Sequence, residues 1–119
     1  FDGKEIIKLI NKKNVTHLCG APIILQMIID NKKLKKSKKL VNIMTAASPP
    51  PPSVLEDIEK SGFAVTHVYG LTESYGPAVI CEWKPEWEAL KSTIKANLKA
   101  RQGVKYPSLE FLDVFDEAK

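Results

Sequence analysis

The sequence predicts an α/β fold made of βαβ units, with a largely parallel sheet flanked by helices. Three observations carry this. Residues 40–47 and 63–68 are apolar runs of strand length, rich in residues that suit a pleated sheet. Between them, a capping box at residues 53–56 opens a helix that runs to about Ser61. A crossover of that length joins parallel neighbours and is normally right-handed. Ahead of this unit, residues 2–29 read as helix, short strand, helix.

Taken in order, Asp2-Gly3-Lys4-Glu5 reads as a capping box, with Asp2 as N-cap and Glu5 three residues on. Ile6, Ile7, Leu9 and Ile10 then form an apolar stripe, and Lys8, Lys12 and Lys13 turn to water. Asn14 suits a left-handed stop. Residues 15–19 predict a short buried strand, with Cys19 as a small core residue. Pro22 suits the first position of the next helix. That helix holds Ile23, Ile24, Leu25, Met27, Ile28 and Ile29, is apolar nearly all round, and should pack deeply.

The run from Leu40 to Ala47 is ended by Ser48 and the prolines 49–52. Ser53-Val54-Leu55-Glu56 predicts a second capping box, and Gly62 the C′ position of its helix. The strand over 63–68 follows. From Gly76-Pro77 to Gly103 the pattern is less regular. Trp83 and Trp87 predict a loop anchored on the body, with ligand stacking as the other reading. Leu90, Ile94 and Leu98 predict an exposed amphipathic helix over 88–101, and residues 109–115 read as a final strand.

Composition narrows the function classes. With 44% hydrophobic residues the chain is not of disordered type, and no apolar run reaches membrane-spanning length. No apolar signal core follows Phe1. The net charge of +4 comes from one stretch, Lys32, Lys33, Lys35, Lys36, Lys38 and Lys39; without it the balance is acidic. Aromatics are not interleaved with these lysines, so a solvated loop is expected and nucleic acid is not an expected partner. Cys19 and Cys81 form no metal-ligand spacing, and the usage fits a reducing compartment.

The most informative stretch is Tyr69-Gly70-Leu71-Thr72-Glu73, expected to leave the carboxyl end of the strand over 63–68 as a turn. Open α/β sheets place ligand crevices there. The Tyr69 ring offers a stacking face, and Gly70 permits a turn or a close approach of the backbone to a ligand. The Thr72 hydroxyl suits a phosphate oxygen, and the Glu73 carboxylate suits Mg²⁺ bridging phosphates. The βαβ unit sets the turn at Ala46, Ala47, Ser48 and Pro49 at the same sheet edge, as a second wall. His67 lies two residues before Tyr69 on the same strand face by alternation. A satisfied buried histidine and a site residue are both open readings.

The run Val-Thr-His-Val-Tyr-Gly-Leu-Thr-Glu-Ser-Tyr-Gly-Pro, residues 65–77, resembles the adenylate-forming, AMP-binding family of acyl-CoA synthetases and ligases. Cys81-Glu82-Trp83-Lys84-Pro85-Glu86-Trp87 resembles the plant-type acyl-activating enzymes within it. The resemblance implies one partial N-terminal AMP-binding domain over residues 1–119, belonging to a longer ligase without its C-terminal domain. It implies ATP or AMP, Mg²⁺ and coenzyme A as ligands, and a carboxylic acid as substrate. It makes Thr72 and Glu73 catalytic, with Glu73 on the metal. Ala46, Ala47, Ser48, Pro49, Tyr69, Gly70, Leu71 and Thr72 become nucleotide contacts, and His67 and Gly76 acyl-pocket residues.

The family pattern at the first turn is Thr-Ala-Gly-Ala-Pro, so Ala47 stands where a glycine is usual. Its Cβ is expected to oppose a positive φ or a close approach. Neither a phosphate loop with its lysine nor a Thr-Gly-Asp after the final strand is found. The chain alone is therefore expected to be inactive, to bind ATP weakly, and to self-associate through uncovered apolar surface. A truncated, non-catalytic nucleotide-binding or interaction module is the alternative. Cytoplasm and peroxisome both stay open as compartments.

Overall fold

The computed structural model describes residues 2–31 and 39–116. Its strands are β1 (His17–Cys19), β2 (Val41–Thr45), β3 (Phe63–Leu71), β4 (Gly76–Ile80) and β5 (Val104–Lys105), and they neighbour one another in chain order. β1, β2 and β3 are parallel; β4 and β5 extend the sheet antiparallel. The helices are α1 (Gly3–Lys13), α2 (Pro22–Ile29), α3 (Pro52–Lys60) and α4 (Ser92–Lys99), with a 3-10 turn at Pro85–Ala89. The sheet is thus mixed and helix-flanked, as the βαβ pattern predicts for its first half. Five of the six clustered lysines (32, 33, 35, 36 and 38) lie outside the described residues.

Helix ends follow local chemistry. The Asp2 carboxylate accepts from the Lys4 N–H at 3.0 Å, and Asn14 closes α1 with φ 52°. The return half of the capping box is replaced, because Glu5 reaches forward to Lys8 at 3.3 Å. At α3 the expected Ser53 cap is displaced into the helix. Pro52 takes the first helical position, where its fixed φ fits, and Pro51 is the cap without a side-chain bond. Glu56 instead meets Lys60 at 2.9 Å and the Ser92 hydroxyl at 2.8 Å. Ser61 ends α3 and Gly62 follows with φ 92°.

The core lies on one face of the sheet. Ile10, Leu25, Ile28, Leu55, Ile58 and Ala96, from all four helices, cluster with Val41 and Ile43 of β2 and Phe63 and Val65 of β3. Alternation turns Asn42, Met44, Ala64 and Thr66 to the other face. There a cavity of about 300 Å³ is lined by His17, Leu18, Cys19, Asn42, Ile43, Met44 and Thr66. β1 is the outer strand of this parallel half. His17 and Cys19 are exposed, which corrects the buried strand and the core Cys19 expected above. α2 also packs on one side only: Leu25 and Ile28 are buried, whereas Ile23 is 58% exposed.

Three further expectations are corrected. β3 does not stop at Val68 but runs to Leu71, because β4 pairs Leu71 with Gly76, Gly70 with Pro77 and Tyr69 with Val79. The expected helix over 88–101 is split. The 3-10 turn ends at Leu90, whose backbone is extended, and α4 begins at Ser92. Residues 109–115 form no strand: they have no sheet partner and are mostly exposed. β5, two residues long, is the last strand among the described residues.

Candidate nucleotide-binding site

Thr45 at the end of β2 is the register partner of His67 in β3. Both parallel strands therefore deliver their following residues to one end of the sheet. Ala46 is half-buried there, and Ala47, Ser48 and Pro49 are exposed ahead of the buried Pro50. Ala47 has φ 88°. The backbone thus takes the conformation that its Cβ opposes, at a cost of about 1–2 kcal/mol. The turn keeps a glycine-like path without the glycine.

The second wall is a hairpin rather than a turn directly after residue 68. β3 carries Tyr69, Gly70 and Leu71 past the helix-covered sheet, and Thr72, Glu73, Ser74 and Tyr75 make the reversal. Tyr69 is 39% exposed, and Leu71, Thr72 and Glu73 are exposed. An aromatic ring, a hydroxyl and a carboxylate thus stand open to solvent. Ser74 fixes the reversal, and sequence reading did not single it out. Its Oγ accepts from the Leu71 N–H at 2.8 Å and lies 3.0 Å and 2.7 Å from the carbonyl oxygens of Leu71 and Gly76. Its one proton serves one carbonyl at a time. A serine suits such a turn by residue type, but the strand end at Leu71 from which its position counts is not marked in the sequence.

Beneath the two turns the sheet is polar and closed. Thr45 is fully buried, and its hydroxyl has no hydrogen-bond partner among the described residues. His67 is 2% exposed, with Nδ1 3.0 Å from the Arg101 carbonyl oxygen. His67 and Tyr69 alternate onto one face as expected, yet His67 is covered and Tyr69 is open. Gly76 sits at the far end of the hairpin, with φ 113° and, its chain neighbours aside, no atom of the described residues within 4 Å of where a Cβ would stand.

The tryptophans anchor the segment between β4 and α4. Their rings meet edge to face at 5.3 Å. The Lys99 ammonium stands 4.5 Å from the Trp83 centroid, and the Arg101 guanidinium 5.0 Å from that of Trp87. Lys99 also pairs with Glu59 of α3. Trp83 donates to Glu88 at 2.6 Å; that bond, then the Lys95 ammonium, holds the Glu88 carboxyl below the usual range. Burial pushes the Cys81 thiol up, and its S–H donates to the Leu98 carbonyl at 3.2 Å.

The fold is an α/β sheet that presents two turns at one end, and the comparisons specify its family. A family model for AMP-binding enzymes matches residues 1–111, so the chain belongs to the AMP-binding enzyme family. It is 47% identical over 116 residues to the peroxisomal acetate/butyrate–CoA ligase of Arabidopsis thaliana, covering 95% of this chain and 20% of that one. It is 45% identical over 114 residues to a 4-hydroxybutyrate–CoA ligase of Metallosphaera sedula, covering 93% of this chain and 20% of that one. The chain therefore spans about a fifth of the length of these relatives.

Solved structures agree on the fold. The Bacillus subtilis O-succinylbenzoate coenzyme A synthetase, in complex with ATP and magnesium ion, aligns with a TM-score of 0.60 at 24% identity, covering 73% of this chain and 18% of that one. A long-chain-fatty-acid–CoA ligase from Archaeoglobus fulgidus aligns at 0.62 and 18% identity, covering 88% and 22%. Among the described residues no helix is long and apolar enough to cross a membrane.

Proposed function

We propose that this chain supplies the adenylate-site portion of an ATP-dependent acid–CoA ligase. The observation that carries the reading is the Thr45–His67 register, which sends residues 46–49 and 69–73 to one sheet end in a chain of the AMP-binding family. Tyr69 stacks on adenine, and Ala46, Ala47, Ser48 and Pro49 form the facing wall. Gly70 and Leu71 present backbone, and Thr72 bonds the α-phosphate. The open space at Gly76 leaves room for the acid.

An exposed carboxylate beside an exposed hydroxyl fits Mg²⁺, which takes one or two carboxylates and otherwise substrate phosphates and water. Glu73 would hold it, and the ion would neutralise phosphate charge. Little covalent work falls to the protein, so these side chains act by position and charge. The acid's carboxylate attacks the α-phosphorus and pyrophosphate leaves; the coenzyme A thiol then displaces AMP from the acyl-adenylate. The isolated chain has too few of these groups for turnover. The relatives' acetate, butyrate and 4-hydroxybutyrate favour a short acid as substrate.

The test is acid-dependent ATP–pyrophosphate exchange by a full-length protein carrying this chain, across short to long carboxylic acids, beside Glu73→Gln. Exchange that needs an acid and collapses in the variant supports the reading. A folded full-length protein with no exchange on any acid sinks it. Turnover by the 119-residue chain alone would overturn its assignment as an inactive portion.

A further inference from the structure

The family resemblance sets His67 beside the acyl substrate, but the geometry points to another role. We propose that His67 is a positioning residue, which holds the nucleotide-contacting hairpin by tying β3 to the segment that follows α4. This rests on reading Tyr69 to Glu73 as nucleotide contacts.

A carbonyl oxygen only accepts, so the 3.0 Å contact to Arg101 requires the proton on His67 Nδ1. The ring is 2% exposed, so water does not replace that bond readily. The His67 backbone is pinned as well: its carbonyl accepts from the Cys81 N–H at 2.8 Å, and Thr45 is its register partner. One residue therefore joins β2, the exit of β4, and the return from α4 34 residues later.

Two residues on, Tyr69 leaves the helix-covered sheet, and the register slips between Tyr69 and Gly70. From there the hairpin is supported sideways by β4, and β4 in turn by β5. β5 begins three residues after Arg101, pairing Val104 with Ile80 and Lys105 with Val79. The Arg101 side chain is held separately, stacked on Trp87 with its Nε–H on the Leu98 carbonyl at 3.1 Å. The His67 bond sets where that anchored segment starts β5, hence where β4 holds Tyr69 to Leu71 and the reversal that follows them. In this arrangement His67 acts on the nucleotide contacts through the backbone of β3, β4 and β5.

The test uses full-length protein and two substitutions. His67→Leu keeps bulk and removes the donor; His67→Asn returns an amide N–H close to the place of Nδ1. ATP affinity is measured by calorimetry, and Michaelis constants for ATP and acid are measured separately. We expect His67→Leu to weaken ATP about tenfold, the scale of one hydrogen bond, with the acid constant unchanged and His67→Asn restoring affinity. A raised acid constant with ATP affinity spared would return His67 to the acyl pocket and overturn the proposal. Equal losses in both variants would overturn it too, since ring shape and not the donor would then matter.

Nitrogen-15 spectra of the wild-type imidazole decide the bond without any variant. A proton on Nδ1 supports the tie, and a neutral ring protonated on Nε2 alone overturns it. A wild type that binds no ATP sinks the nucleotide reading itself, whatever the tautomer. Unchanged ATP binding in His67→Leu sinks only the positioning role.

Discussion

Gly70 lies so close to the Gly76 end of its hairpin that a Cβ on Gly70 would stand 2.2 Å from the Gly76 carbonyl oxygen and 2.6 Å from Pro77 Cα. Both obstacles are backbone, so neither can swing aside. The neighbour that requires a bare Gly70 is thus the β4 backbone of the same hairpin. Gly70→Ala must push β3 and β4 apart where Tyr69 and Thr72 are presented. We expect a loss of about 1–3 kcal/mol in urea unfolding, the usual scale of overpacking, together with weaker ATP binding. Wild-type stability and affinity in that variant would show that the hairpin opens freely, contrary to the structure.

Ala47 makes the opposite prediction. At φ 88° it holds a conformation natural to glycine, so Ala47→Gly relieves strain in the folded state. The same change loosens the unfolded chain by about 0.4–1 kcal/mol, which offsets part of the gain. The net expectation is a stabilisation of up to about 1 kcal/mol in thermal or urea unfolding, with nucleotide affinity equal or better. A clear destabilisation would mean that the Cβ makes contacts worth more than the strain.

The features that were legible in the sequence are those whose causes are local. Asn14 and Gly62 were readable as helix stops because the residue type itself tolerates positive φ, and both hold it. The parallel β2–β3 pair was readable from two apolar runs and the helix between them. The hairpin was not, because Tyr69 to Leu71 are strand only through β4, and half-exposed residues leave no apolar signature. Residues 109–115 erred the other way: an apolar run looks like a strand whether or not an edge receives it. At the candidate site, Tyr69, Thr72 and Glu73 can be singled out by residue type alone, whereas the Arg101 carbonyl that engages His67 has no side-chain identity to read.

The Trp83–Glu88 contact should be acid-labile. Its hydrogen bond, and next the Lys95 ammonium, lower the Glu88 carboxyl in the folded state. A lowered carboxylate contributes stability above its unfolded value and loses it as pH falls through the folded value. Tryptophan fluorescence should therefore hold steady through neutral pH and change only below the ordinary glutamate range. Glu88→Gln keeps an acceptor for Trp83 without a charge and should remove that transition. A transition that persists unchanged in the variant would assign it to another group.

The two cysteines report on how the open face of the sheet is used. Cys19 is exposed on β1 and lines the cavity of about 300 Å³ on the face opposite the described helices. Cys81 is buried, its thiol bonded to the Leu98 carbonyl, and burial raises it above the usual thiol range. Since the thiolate is the reactive form, the isolated chain should give one fast-reacting thiol with an aromatic disulfide reagent at neutral pH. Cys19→Ser should abolish that fast phase, and Cys81 should react only in denaturant. In a longer protein carrying this chain the outcome should differ. Parallel strands are almost always covered on both faces, and β1, β2 and β3 carry the helices described here on one. The chain spans about a fifth of its relatives' length, so material to cover the second face is available in a protein of their size. Cys19 should then react at least tenfold more slowly than in the isolated chain, approaching the buried Cys81. Equal rates in the two proteins would mean that the face lined by Cys19, Met44 and Thr66 stays bare.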